Sequence, residues 1–203
     1  MKTPRYFAAF ALVAVVAFAN EETAQRQLQE QLMLLREAEA RWDENHPRLL
    51  EQRARVAAWQ EVLREHPSAA EIFQSETVEL AILERRHLEK SPALQARRAR
   101  VEAMHAIVHQ FPAASPELLE AHADLASATL RWGASNPKLT DLQAKVAAYD
   151  KFLLGESAEP FALRLARAQH AHLSQRLGPA HPRILELEER IAELQRAKTP
   201  SAP

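Results

Sequence analysis

Apolar positions along this chain recur at spacings of seven, three and four residues. One set runs Leu49, Val56, Trp59, Leu63 and returns as Leu94, Val101, Met104, Val108 and as Leu139, Val146, Tyr149, Leu153. Ile184, Ile191 and Leu194 carry it into a last copy. This spacing places one stripe on an α-helix, and no segment shows the sustained alternation of a strand. A second, less regular set lies upstream in each copy: Leu28, Phe73, Leu118, Leu163; then Leu35, Leu80, Leu125, His170; then Trp42, His87, Trp132, Leu177. Each copy therefore predicts two helices.

Between the two sets stand Pro47, Pro92, Pro137 and Pro182, 45 residues apart with no insertion or deletion. Ser91-Pro92 and Asn136-Pro137 read as a helix N-cap followed by proline at the first helical position, where its missing N–H costs nothing. His46 and His181 occupy the same slot with weaker capping chemistry. Gly133 and Gly178 share a column at the end of the upstream helix, where a left-handed residue is expected to close the last turn. The copies are divided by Pro67 to Glu71, with a capping box of Ser68 and Glu71, by Pro112 to Pro116, and by Gly155 to Pro160.

The expected fold is all-α: four tandem 45-residue αα-hairpin repeats, eight helices of about 16–20 residues, stacked as a solenoid-like array. Stacking is required because a lone hairpin cannot bury its stripe. The alternative is an extended coiled coil kinked at each proline, since heptad phase runs unbroken through positions 28, 35, 42, 49, 56 and 63. The expected boundaries are repeats at 20–66, 67–111, 112–156 and 157–197, with a disordered tail at 198–203.

The first 19 residues change the setting. Lys2 and Arg5 precede an apolar run from Tyr6 to Ala19, and Ala17-Phe18-Ala19 forms a small-x-small cleavage site. A signal peptide cleaved after Ala19 is expected, giving a periplasmic or secreted protein. An uncleaved anchor is the rival, although 14 apolar residues fall short of the roughly 20 that span a bilayer. No stable membrane span is expected after cleavage. With no Cys, a lipoprotein is excluded and no disulfide is possible, which fits a bacterial envelope compartment. Cleavage leaves 24 cations against 27 anions, a net of −3, which argues against nucleic-acid binding.

Candidate chemistry is sparse. Arg41, Arg86, Arg131 and Arg176 repeat identically, and Arg55, Arg100, Lys145 and Arg190 form a second basic column. Together they offer contacts to a protein partner or an anionic glycan. Equally, they are helix-terminal cations and members of the i,i+4 pairs Glu51–Arg55, Asp141–Lys145 and Glu186–Arg190. His105 and His109 stand one turn apart but lack a third ligand, so no metal is expected. Trp42, Trp59, Trp132 and Tyr149 read as core fillers before groove linings. Three glycines near helix ends leave no phosphate-cradling loop, and no catalytic constellation is present. No cofactor is expected.

Leu177-Gly178-Pro179-Ala180-His181-Pro182-Arg183-Ile184 through Leu194 resembles the periplasmic coiled-coil segment of polysaccharide chain-length determinant proteins, and Asn45-His46-Pro47-Arg48-Leu49 repeats it more loosely. That family carries two membrane spans and this chain has no second apolar run, so the resemblance implies only an envelope helical module. The turns also resemble those of tetratricopeptide-type repeats, whose usual unit is about 34 residues. The expectation is a non-enzymatic exported scaffold or protein-interaction module. A self-associating coiled-coil spacer and a glycan binder are the alternatives.

Overall fold

The computed structural model describes residues 6–67, 69–86, 91–154 and 157–198, with side chains from Glu22 onward except those of Arg86 and Lys198. Among these residues there are eight α-helices and no strand: α1 (Tyr6–Arg41), α2 (Pro47–Glu65), α3 (Glu71–Arg86), α4 (Pro92–Gln110), α5 (Pro116–Arg131), α6 (Pro137–Leu153), α7 (Phe161–Leu173) and α8 (Pro182–Lys198). They form tandem hairpins in which consecutive helices pack, as in a solenoid-like array. The chain falls into two compact units, residues 1–119 and 120–203. In the first, α1 packs on α2, α2 on α3 and α3 on α4; in the second, α6 packs on α7 and α7 on α8.

Side-chain contacts across the turns establish the chain reversal. Gln52 Nε2 donates to the Gln31 carbonyl at 3.0 Å, and Arg53 donates to Glu39 at 3.2 Å. One repeat later, Arg98 donates to Glu84 at 2.9 Å. Helices continued through the proline as a kinked rod would hold these pairs apart, so the extended coiled coil is excluded for these hairpins.

The turn is the same in the first, third and fourth copies. Trp42 and Trp132 each donate their N–H to the carbonyl four residues back, ending the upstream helix, and Leu177 makes the same bond one turn past the end of α7. A tight turn follows, closed by the N–H of His46, Asn136 or His181 on the carbonyl of Asp43, Gly133 or Gly178 at 2.9 Å. The same residue then caps the next helix. Asn136 Oδ1 accepts from Lys138 N at 2.9 Å, while His46 and His181 accept through Nδ1 from Arg48 N and Arg183 N at 3.2 Å. Histidine therefore caps here, whereas Ser91 makes no side-chain cap bond. The expected left-handed closure is also corrected: neither Gly133 nor Gly178 adopts a positive φ. Their position needs only a carbonyl that starts a turn, and Asp43 supplies it equally. The Ser68 half of the expected capping box lies outside the described residues.

Two helix lengths depart from expectation. α1 spans 36 residues because no proline or glycine interrupts Tyr6 to Arg41, so helix runs through the expected cleavage point. α7 has 13 residues. There the Ser174 hydroxyl donates to the His170 carbonyl at 2.7 Å and Arg176 N–H reaches Leu173 O, a tighter turn that ends the helix early.

Packing uses more of the upstream helices than one stripe. Ala58, Trp59 and Val62 of α2 form a buried cluster with Val78 and Ile82 of α3. Val78, Ala123 and Ala168 share one repeat position and are 0–1 % exposed. α3 and α7 thus each bury one face toward the hairpin mate and another toward the preceding hairpin. A further repeat position secures the connections: Gln74 Nε2 donates to the His66 carbonyl at 2.9 Å, and Arg164 Nε donates to the Phe152 carbonyl at 2.8 Å. Both side chains satisfy carbonyls left unpaired at the end of the preceding helix.

Candidate functional site

The turns concentrate the side chains best suited to recognition. At the α1–α2 turn the His46 ring stacks on Trp42, with centroids 4.9 Å apart and planes 9° from parallel. The Arg48 guanidinium lies 5.7 Å from the Trp42 ring centre. The α5–α6 turn repeats the arrangement, with Lys138 Nζ 5.6 Å from the Trp132 ring centre. Both indoles are half-buried and both cations exposed. Proline places each cation at the second helical position, one turn-width from the indole that ends the preceding helix. Leu177 and Arg183 hold these places at the α7–α8 turn. Leu50 and Leu185, at equivalent positions beyond the first and last prolines, are exposed as well.

Beside two of these turns lie open grooves. The first, about 410 Å³, runs over α1 and α2 and is lined in part by Leu34, Glu37, Ala38, Arg48, Glu51 and Gln52. The second, about 340 Å³, is lined by Gln169, His172, Leu173, Arg183, Glu186 and Leu187 of α7 and α8, with Tyr149. Each of those six residues lies three repeat lengths after its counterpart in the first groove. The same concavity is therefore built in the first and last hairpins, with an arginine and a glutamate kept at fixed places.

The two basic columns separate. In the second column, Arg55 pairs with Glu51 at 3.8 Å and with Glu79 of α3, Arg100 pairs with Glu76 at 3.1 Å, and Lys145 lies 4.0 Å from Asp124. These cations tie helices together. Arg190 is exposed and makes no ion pair among the described residues. Of the three expected i,i+4 pairs only Glu51–Arg55 forms. Asp141 instead takes Arg176 at 2.9 Å and His172 at 3.0 Å, both reaching from α7 and the turn that follows it. In the first column, Arg41 and Arg131 are exposed at helix ends with no ion pair among the described residues, Arg176 is engaged by Asp141, and the Arg86 side chain lies outside the described residues.

The aromatic column divides likewise. Trp59 and Tyr149 are buried core residues, while Trp42 and Trp132 belong to the turns. Sequence reasoning missed the cations following each proline, Arg48, Lys138 and Arg183. The repeated Pro-Arg or Pro-Lys step was the signal, broken only by Ala93. It also missed that His66 lies beside His105, with ring centroids 5.6 Å apart and Phe73 against both. His109 stands 6.4 Å from His105. No group of three His, Asp or Glu among the described residues is arranged to hold a metal ion. Nor is any helix among them long and apolar enough to cross a membrane. No family model, no curated protein and no solved structure matches the chain.

Proposed function

We propose that this protein is a non-enzymatic, exported helical-repeat scaffold of the bacterial envelope that binds protein partners through its hairpins. The observation that carries the reading is the groove built twice at one repeat position, each beside a turn bearing an exposed cation. Aromatic and arginine side chains are the chemistry on which protein interfaces most depend. The same concavity recurs at one repeat position in the first and last hairpins, offering the same contacts twice. The envelope setting rests on the basic-then-apolar leader, the absence of Cys and the His-Pro resemblance.

Photo-crosslinking residues placed at Gln52 and Leu187, on the two groove walls, test this in cells. The expected result is one shared partner captured from both positions, with capture lost on Arg48→Glu and Arg183→Glu. Capture unaffected by either reversal, or no protein adduct at either groove, contradicts the proposal.

A second reading, binding of an anionic glycan, is favoured by one observation. Arg41 and Arg131, exposed and without an ion pair among the described residues, each directly precede a half-buried indole over which Arg48 or Lys138 lies. The combined substitution Arg41→Gln and Arg131→Gln should then abolish salt-sensitive retention on a polyanionic glycan column. Unchanged retention removes this reading.

A further inference from the structure

The first and last helices present, at matched repeat positions, the two halves of the contact that joins one hairpin to the next. We infer that copies of this chain associate head to tail, the α1 face of one copy seating on the α8 face of the next in the register by which α3 seats on α2. This names a second copy as a partner for the proposed scaffold, and rests on that reading.

Met33, Val78, Ala123 and Ala168 occupy one repeat position. The last three are 0–1 % exposed, whereas Met33 on α1 is 59 % exposed and its neighbour Leu34 is 44 % exposed. Val78 lies in the α2–α3 cluster with Trp59 and Val62, so Met33 offers on the first helix the position by which α3 engages the hairpin before it. At the other end, Trp59, Met104 and Tyr149 are buried, and their fourth counterpart, Leu194, is only half-buried on α8. Side-chain size is exchanged across this contact. Trp59 meets a cluster containing Val78, Tyr149 shares its repeat position on the helix that meets α7 and Ala168, and a smaller Leu194 would face a larger Met33.

Charge supplies the polarity. Beside the apolar contact, one column reads Ala58, Ala103, Ala148, Glu193, and the opposing one reads Arg36, Ala81, Ala126, Ala171. Ala81 packs against the cluster that contains Ala58. Each column abandons alanine once, at Arg36 on α1 and at Glu193 on α8, and the two replacements are exposed and opposite in sign. A further cation agrees: Arg55 reaches Glu79 across the α2–α3 contact, and Arg190, its counterpart on α8, is exposed. Glu37 on α1, one turn from the position equivalent to Glu79, supplies a carboxylate for it. Charge on an exposed helix face serves solubility. That accounts for charge, but not for opposite signs at facing positions or for the exposed Met33 and Leu34. The contact joins different surfaces, so it extends into chains rather than closing as a two-fold dimer.

The test is sedimentation of the full chain over a concentration series. Mass should rise with concentration past that of two copies. Arg36→Glu and Glu193→Arg should each raise the dissociation constant about tenfold or more, because each sets like charges face to face. An equimolar mixture of these two single variants should restore association, since each restores opposite charges at both junctions. Met33→Asp should abolish association with helix content unchanged by circular dichroism. A single-copy mass at every concentration, association indifferent to both reversals, or a mixture that fails to recover overturns the inference. The groove-dependent crosslinks then still decide the scaffold reading separately.

Discussion

Where α2 meets α3, the repeat fills the contact with apolar side chains: Trp59 and Val62 from one helix, Val78 and Ile82 from the other. Where α6 meets α7, the same positions hold Tyr149, Phe152, Ala168 and His172. The β-branched Val78 becomes Ala168, and the buried Ile82 becomes a histidine whose Nε2 sits 3.0 Å from Asp141. Both contacts join a hairpin to its neighbour at one register, yet at these four positions one is hydrocarbon throughout, with its Arg55–Glu79 ion pair lying beside them, and the other places a polar tie among them. The repeat fixes which positions touch, and the side chains at those positions remain free to exchange size for charge.

The comparison can be broken most severely at its apolar end. Trp59→Ala removes the largest side chain of the α2–α3 cluster, and chemical denaturation should show a loss of about 3–5 kcal/mol, the range for truncating a buried aromatic. A loss below that of an ordinary surface substitution would mean that the cluster does not hold the two hairpins together. Asp141→Ala removes the partner of both His172 and Arg176. With these groups part-exposed, a loss of about 1 kcal/mol is expected, halved in high salt. Equal loss in low and high salt would show that the tie is not ionic. The smallest effect separates two caps of the same repeat column. Asn136→Ala should cost about 1 kcal/mol, and Ser91→Ala almost nothing, because only Asn136 accepts a cap hydrogen bond. Equal costs at the two sites would mean that the side-chain bond is not what distinguishes them.

These contrasts show what was legible before the structure. Matched prolines and the Leu49, Leu94, Leu139, Ile184 column located the turns and the buried stripe of the downstream helices, because large apolar residues at helical spacing leave a clear periodic signal. The second buried face of the upstream helices was not legible. It consists of Val78, Ala123 and Ala168 together with the buried polar Gln74 and Ser127, and neither alanine nor a polar residue stands out in a hydropathy pattern. The histidine caps were underrated because imidazole ranks low among capping side chains, although its Nδ1 reaches the N–H two residues on at 3.2 Å. At the candidate site, the basic columns were visible but their division was not. Ionic partners such as Glu79 for Arg55 and Asp141 for Arg176 are brought close only by hairpin packing, 24 and 35 residues along the chain.

The central claim is that each matched proline follows a reversal of the chain rather than a bend in a rod. Because the chain contains no Cys, spin labels can be placed on two introduced cysteines, Gln29→Cys on α1 and Ala57→Cys on α2, both exposed positions. Antiparallel helices packed at about 8–10 Å predict a label separation under about 25 Å by pulsed electron resonance. A separation near 40 Å, which is about what 28 residues at 1.5 Å each would span along one rod, would contradict it.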